Sequence, residues 1–325
     1  GYDEKFSSSG SMNLAEINQA LKKGDVTFDF VGFDACLMAT IETAHTLSPY
    51  ANYMIASQET EPGWGWDYTF LEEIGNLESG ADIGTKIVDY YISYSEDEFE
   101  AAPYIYSNIT LSVMDLNETE NVETALNELF EKANDDLSQD TYSQYSRIRS
   151  KTKEIASEFT GEYSYDVVDL TDLAKNMRST FANEANQLEA ALNNFVVYSS
   201  ANETNANGVS IYYPYHAKEY SSYYIPMYST FDFALEYTSF ITSFSMLLTG
   251  EDTLTAEWNP ETMLPTKNED LTFSLELTPE QAANVQNVYY VISREDVTNP
   301  SNYVFVSMSN QVDMNDTNLL TANFD

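Results

Sequence analysis

The sequence predicts an α/β fold in which a largely parallel sheet is flanked by helices and followed by a small β-rich region. Short runs of β-branched and aromatic residues alternate with longer amphipathic stretches over residues 1–250. Several of these runs are almost continuously apolar, which is typical of parallel strands covered on both faces by helices. After residue 250 the sequence becomes polar and then alternates with a period of two, which indicates half-buried antiparallel strands.

The predicted elements follow one another along the chain. Asn13, with Glu16 three residues later, predicts a capped helix that ends near Lys23. The stretch VTFDFVGF at 26–33 predicts a strand buried on both faces, and the periodicity of residues 37–47 predicts the helix after it. Further strands are predicted at 53–56, 109–115, 167–170, 195–198 and 208–213. Further helices are predicted at 83–94, 118–137, 182–194 and 231–248, and one more follows the strand at 167–170 and reaches residue 177.

The change in composition near Gly250 predicts two domains, 1–250 and 251–325. In the second, Leu271 to Leu277 alternate apolar and polar side chains, and 288–292 and 303–308 are predicted strands. We expect a small antiparallel β domain there, incomplete because its last residues form no clear closing strand.

The charge of the chain excludes several classes of protein. Its 325 residues carry 14 basic and 53 acidic side chains, a formal net charge of −39. No surplus of Lys or Arg exists to neutralise nucleic-acid phosphates or anionic lipid headgroups. Apolar residues make up 43 %, which argues against disorder, and no run of 18 apolar residues predicts a membrane span.

Cys36 is the one residue whose position alone argues for chemistry. It is the only cysteine, so no intrachain disulfide exists. It follows the predicted strand at 26–33 and precedes the predicted helix, and sites in open α/β sheets form beyond the carboxyl ends of strands. A helix N-terminus there would stabilise a thiolate. A small apolar side chain filling the strand–helix junction is the alternative interpretation.

Two histidines are the candidate bases for this thiol. His45 lies nine residues after Cys36, about 13 Å along a helix axis, so we expect it near the helix C-terminus and out of reach. His216 follows the predicted strand at 208–213 and is a candidate base, with a surface or tyrosine-packed position as the alternative. Two histidines and one cysteine also argue against a zinc site of Cys/His type.

Acidic and polar residues are predicted around the thiol. Asp34, two residues before Cys36, points to the same rim by strand alternation. The segment Ser57-Gln58-Glu59-Thr60-Glu61 follows the next predicted strand, and its residues flank the thiol if the two strands are neighbours. Carboxylates beside a nucleophile would select a cationic substrate. A solvated acidic loop is the alternative in so acidic a chain.

Four elements around Cys36 resemble the clostripain family of cysteine peptidases, which belongs to the caspase-like clan. The elements, in order, are Asp34-Ala35-Cys36-Leu37-Met38, Glu42-Thr43-Ala44, Ser57-Gln58-Glu59 and Gly65-Trp66-Asp67-Tyr68. The resemblance covers roughly residues 1–250. It implies a caspase-like sheet and a cysteine endopeptidase that cleaves after Arg or Lys, with Cys36 as nucleophile. Together with the rim argument, it makes Asp34 the first and Glu59 the second candidate for an acidic pocket wall.

The catalytic histidine of the family lies in an upstream His-Gly motif that this sequence does not contain. The resemblance therefore implies a heavy chain, activated by cleavage before Gly1, whose N-terminal light chain supplies the histidine. Its other expected partners are peptide or protein substrates with a basic residue before the scissile bond. The family and the acidic composition imply a secreted or cell-envelope protein of a bacterium.

Two other functions remain open from the sequence. One is an inactive family member that binds basic peptides or glycans, and the other is a different cysteine hydrolase or transamidase that uses His216. We expect no cofactor and no dedicated metal site, because Asp313-Met314-Asn315-Asp316 lacks the EF-hand ligand and glycine that should follow.

Overall fold

The fold is described by a computed structural model over residues 12–228, 233–248, 271–278, 290–296, 299–309, 312–314 and 319–324. Contacts divide the chain into two compact units, Gly1–Leu137 with Arg147–Leu247 and Ser138–Ser146 with Leu248–Asp325. The predicted domain border after residue 250 lies outside the described residues and stays a prediction. Residues 315–318 of the failed EF-hand stretch also lie outside them.

Helices and strands alternate through the first 250 residues. The helices are α1 Leu14–Gly24, α2 Ile41–Leu47, α3 Gly80–Ala101, α4 Thr119–Asp136, α5 Tyr142–Lys151, α6 Leu170–Met177, α7 Ala182–Phe195, α8 Lys218–Tyr228 and α9 Leu235–Leu248. The strands there are β1 Phe28–Gly32, β2 Ala51–Ala56, β3 Thr110–Asp115, β4 Val167–Asp169, β5 Val196–Ala201 and β6 Ser210–Tyr212. A sheet flanked by helices confirms the predicted α/β class. The predicted capping box is also confirmed, since Asn13 and Glu16 each accept the other's backbone N–H at 2.9 Å.

The strands β7 Leu271–Glu276, β8 Tyr290–Asp296, β9 Asn299–Ser309, β10 Val312–Met314 and β11 Leu319–Phe324 lie in the second unit. They form a sheet in the order β10-β11-β7 and a β8–β9 pair, and all of these pairs are antiparallel.

The main sheet, in the order β1-β2-β3-β5, is less parallel than predicted. Of its pairs only β1–β2 is parallel, whereas β2–β3 and β3–β5 are antiparallel. The reason is the start of α3, because Gly80 lies against Asp29 and Tyr53, near the first residues of β1 and β2. The 22 residues of α3 then rise about 33 Å and return the chain, so β3 runs in the opposite direction.

The prediction that the first strand is buried on both faces was wrong. β1 is partly exposed, and Phe28 keeps 39 % of its surface accessible. Among the described residues, β1 pairs only with β2 and its other edge has no strand beside it. An apolar run indicates surface that needs covering, but it does not indicate whether the covering group belongs to the described part of the chain.

The helix after Cys36 begins four residues later than predicted. Thr40 caps α2 by accepting the Thr43 N–H, and Cys36 therefore lies in a turn and not at a helix N-terminus. The sequence analysis also missed α5 and α8. Both are rich in polar or tyrosine side chains, and α8 contains Pro226, so neither has a clear apolar period. Among the described helices, none combines the length and the apolar character required to cross a bilayer.

Candidate active site

The thiol of Cys36 lies exposed on a turn four residues after β1. Its Sγ accepts the backbone N–H of Glu61 at 3.2 Å. Leu37, the next residue, has a φ of 62°, a left-handed conformation that is uncommon for a leucine and turns the chain sharply after the thiol. The loop thus presents the sulfur outward and gives it one hydrogen-bond donor.

The segment 57–61 holds this turn from below through its backbone. The carbonyl of Glu59 accepts the Leu37 N–H at 3.2 Å, and the carbonyl of Ser57 accepts the Ala39 N–H at 2.8 Å. The parallel pairing of β1 with β2 brings the two loops together at one edge of the sheet. The two strands are therefore neighbours, as the sequence analysis required, and their pairing positions the thiol.

Two carboxyl groups, those of Asp34 and Glu61, lie together beside the thiol. Asp34 accepts the Tyr68 hydroxyl at 2.9 Å and the Trp66 N–H at 3.4 Å, and Glu61 accepts the Trp66 indole N–H at 3.3 Å. Burial, and next the nearby Asp34 carboxyl, raise the pKa of Glu61 to about 8. The closeness of the two carboxyl groups thus disfavours their charged forms, and a cation placed between them would favour those forms.

Gly65 is what allows the following loop to close over Asp34. Its φ is 67°, and a Cβ on it would lie 2.8 Å from a carboxylate oxygen of Asp34. Any larger residue would be strained and would push the carboxylate away. The Gly-Trp-x-Tyr motif therefore surrounds Asp34 with a backbone N–H from Trp66 and a hydroxyl from Tyr68.

The side chains of Ser57, Gln58 and Glu59 are buried, at no more than 1 % exposure. Ser57 bonds Thr110, while Gln58 donates to Asp169 and Ser210 and accepts the Gly208 N–H at 2.7 Å. Glu59 accepts the Ala156 N–H at 2.8 Å. The side chains of Ser57 and Gln58 are bonded within the protein, and all three residues are buried, so their substrate contacts remain a prediction that the geometry does not favour.

The two histidines lie in other clusters. His45 sits in the last turn of α2, as predicted, and its Nδ1 lies 2.7 Å from Glu123. The Nε2 of His216 lies 3.9 Å from Glu154, and burial lowers the pKa of this imidazole. Neither is linked to Cys36 by a hydrogen bond or ion pair among the described residues.

A comparison with known protein families matches residues 1–244 to the clostripain family. The chain belongs to the clostripain family. The resemblance carried by the four motifs is thereby confirmed, and the family is one of cysteine peptidases. A search of the curated proteins found no match.

Solved structures of clostripain-like proteases share the fold at low sequence identity. A clostripain from Bacteroides thetaiotaomicron in complex with a peptide inhibitor is 16 % identical, with a TM-score of 0.50, over 65 % of this chain and 89 % of that one. A cysteine protease of B. fragilis is 18 % identical, with a TM-score of 0.50, over 70 % of this chain and 92 % of that one. An inactive zymogen protease from Parabacteroides distasonis is 20 % identical, with a TM-score of 0.52, over 67 % of this chain and 62 % of that one.

One group of side chains in this clostripain-family chain has the composition of a metal site. The ligand atoms of Glu154, Asp166 and His216 all lie within 4.8 Å of one another. The Arg149 guanidinium already sits among them, bound to both oxygens of Glu154 and 3.5 Å from Asp166. A cation of the protein itself thus neutralises the carboxylates, which makes the group a structural ion cluster.

The buried Glu59 makes stability depend on pH. Burial, and next the neighbouring Glu203 carboxyl, raise the pKa of Glu59 above its ordinary value of 4.5. The folded protein therefore holds a proton that the unfolded chain releases, and stability falls as the pH rises above that value. Glu203 pairs with Lys153, so Glu59 is the group that keeps the proton.

Replacing Glu59 by Gln is expected to raise the free energy of unfolding at pH 8.5 by roughly 1 to 3 kcal/mol. The amide keeps an oxygen for the Ala156 N–H and adds an N–H donor toward Glu203. Urea unfolding at pH 5.5 and 8.5 measures the change. The exposed Glu128→Gln is the control and should differ from the parent by less than about 0.5 kcal/mol at both values. A loss of stability at pH 8.5 would contradict the assignment.

Proposed function

We propose that the protein is a cysteine endopeptidase that cleaves after Arg or Lys, with Cys36 as nucleophile. The observation that carries the proposal is the exposed thiol beside the Asp34–Glu61 carboxyl pair, in a chain of the clostripain family. The side chain of a substrate residue bound next to the thiol would end at this pair, which offers it two acceptor groups. Glu61 replaces Glu59 as the second acidic residue, since Glu59 is buried under the loop.

The chemistry is acyl transfer from the peptide to the thiol and then to water. The Cys36 thiolate attacks the carbonyl carbon, and backbone N–H groups, that of Cys36 among them, stabilise the oxyanion. The carbon–nitrogen bond breaks as a histidine protonates the leaving amine. Water then adds to the thioester carbon, the carbon–sulfur bond breaks, and the thiol and a carboxylic acid are released.

We assign the histidine to an N-terminal light chain, released by cleavage before Gly1 after a basic residue. The open edge of β1 supports this partner, since a further strand there would lie next to the strand that leads to Cys36. It would also cover Phe28, which is 39 % exposed. The zymogen named among the similar structures supports processing by analogy only.

The preference for a basic residue has a second line of support. The inhibitor in the clostripain structure from B. thetaiotaomicron carries the peptide VLTK, which ends in lysine. The acidic character of the chain, −39 in net charge, would draw basic substrates to the cleft and suits a secreted or cell-envelope protein of a bacterium. The inactive binding module has no observation of its own in its favour.

Labelling and turnover test the proposal together. The complete protein is incubated with fluorogenic peptides that end in Arg, Lys, norleucine or Asp, and separately with a lysine-ended acyloxymethyl ketone. We expect the Arg and Lys peptides to be cleaved at least about 100-fold faster than the norleucine and Asp peptides, and one label located on Cys36 by peptide mapping. Cys36→Ala is the control and should neither turn over nor be labelled. Equal cleavage after norleucine, or a label elsewhere, would overturn the assignment.

A further inference from the structure

A cavity of about 380 Å³ opens beside Leu37, the residue that follows Cys36. The rest of its lining comes from Leu14 of α1, from Thr40 and Glu42 at the start of α2, from the loop before β4 with Val167, from Tyr212 of β6 and from α8. Six tyrosines line it: Tyr163, Tyr165, Tyr212, Tyr220, Tyr224 and Tyr228. We call this the tyrosine cavity. Its volume falls in the range of pockets that hold a small ligand or one large side chain.

The tyrosines grade from exposed to buried across the cavity. Tyr163 and Tyr165 are 71 % and 45 % exposed, while Tyr228 is 7 % exposed. The rings of Tyr212 and Tyr224 meet edge to face, with centroids 5.7 Å apart, and Tyr228 lies on the other side of Tyr212 at 6.2 Å. The cavity is thus an aromatic cage with an open mouth and a closed floor.

A single carboxyl group, that of Glu42, lines the cavity. Its Oε1 accepts the Tyr212 N–H at 3.1 Å and the Tyr228 hydroxyl, whereas its Oε2 is buried with no hydrogen-bond partner among the described residues. The hydroxyl of Tyr212 is likewise buried and has no hydrogen-bond partner among the residues that the structure describes. Buried polar atoms are almost always satisfied, and a group bound in this cavity would supply the missing partners of these two atoms.

The charge of that ligand follows from the lining. Burial raises the pKa of Glu42 and outweighs the Tyr228 and Tyr212 hydrogen bonds that lower it. No Lys, Arg or His is among the described residues that line the cavity. A cation would ionise Glu42, donate to its free oxygen and lie against tyrosine faces, which attract positive charge. A neutral ligand gains only the hydrogen bond.

We propose that the tyrosine cavity binds the side chain of a lysine or arginine of a peptide, at a site separate from the Asp34–Glu61 pair. Leu37 of the cavity directly follows Cys36 and Asp34 of the pair lies two residues before it, so each site has one residue next to the thiol in the sequence. The binding does not require the thiol, and a failure of peptidase activity would leave it standing.

Calorimetry on a silenced protein tests the site. The complete protein carries Cys36→Ala, Asp34→Asn and Glu61→Gln, so that the acidic pair no longer attracts the probe. N-acetyl-arginine amide should bind with one site, and N-acetyl-citrulline amide, its neutral isostere, at least tenfold more weakly. Adding Glu42→Gln should weaken the arginine probe about tenfold and leave the citrulline probe unchanged, since glutamine keeps an oxygen for Tyr212 and Tyr228.

If Glu42→Gln harms folding, substitutions at other residues still test the proposal. Tyr224→Leu, at the mouth of the cavity, should weaken the arginine probe several-fold with an unchanged unfolding temperature. Tyr104→Leu, which replaces a tyrosine that is 90 % exposed and far from this lining in sequence, should change nothing. Equal affinity for the two probes, an arginine affinity unaffected by both cavity variants, or binding of neutral saccharides alone would overturn the proposal.

Discussion

Replacing Arg149 by Met is expected to lower the free energy of unfolding by about 3 to 5 kcal/mol. Arg149 is 1 % exposed and donates to Glu154, to Asp166 and, through Nε, to the Tyr213 carbonyl at 2.9 Å. Its guanidinium also lies 5.3 Å from the ring centre of Tyr215. Methionine fills much of the volume but leaves the buried Asp166 and the partly exposed Glu154 without their cation.

The damage should spread through Asp166. This carboxylate is 1 % exposed and accepts the backbone N–H groups of Tyr215, His216 and Ala217 at 2.8 to 3.0 Å. Without Arg149 it must either keep an unpaired charge or take up a proton and give up acceptor strength. The loop after β6 therefore loses its anchor, which adds to the loss of the ion pair.

Urea unfolding of the parent and of three variants measures the effect. Arg178→Met is the matched control, because Arg178 is 49 % exposed in its pair with Glu189 and should cost less than about 1 kcal/mol. Arg149→Lys keeps the charge but not the fork, and should fall between the parent and Arg149→Met. If the two methionine variants lose the same stability, the buried cluster is not the structural centre described above.

How much of the site could be predicted from the sequence depends on how far apart along the chain its interacting residues lie. Cys36 could be located because a strand and a sheet edge are encoded within a few neighbouring residues. Glu61 belongs to the segment 57–61 that was predicted to flank the thiol, but Glu59 was ranked above it, because the sequence does not show which carboxyl of that segment faces the thiol. Its side of the loop is decided only once β1 and β2 pair.

The burial of Ser57, Gln58 and Glu59 shows the opposite difficulty. Polar residues after a strand favour a solvent-exposed rim. Here, however, Ser57 and Gln58 form hydrogen bonds with residues far away in the sequence, namely Thr110, Asp169 and Ser210. Hydrogen-bond partners at such separation leave no local pattern. The direction of β3 was unpredictable for a related reason, since a helix period does not show at which end of the sheet the helix begins.

Removing both carboxyls of the acidic pair should change which peptides the enzyme cleaves. Asp34→Asn with Glu61→Gln is expected to lower kcat/KM for an arginine-ended peptide by roughly 100-fold to 1000-fold, because the substrate cation loses two charged acceptors. A norleucine-ended peptide should stay within about threefold of its parent rate, since it uses neither group. Steady-state kinetics on the pair of peptides measures the ratio.

The pH dependence of that ratio separates Glu61 from Asp34. Glu61 is protonated below its pKa of about 8 and charged above it, so the preference for arginine over norleucine should rise as the pH increases through 8. Taking the ratio of the two peptides cancels every protonation step that both substrates share. Glu61→Gln should flatten the rise and keep a preference from Asp34, whereas Asp34→Asn should lower the pKa of Glu61 and move the rise to lower pH. A ratio that stays constant with pH in the parent protein would remove Glu61 from the pocket.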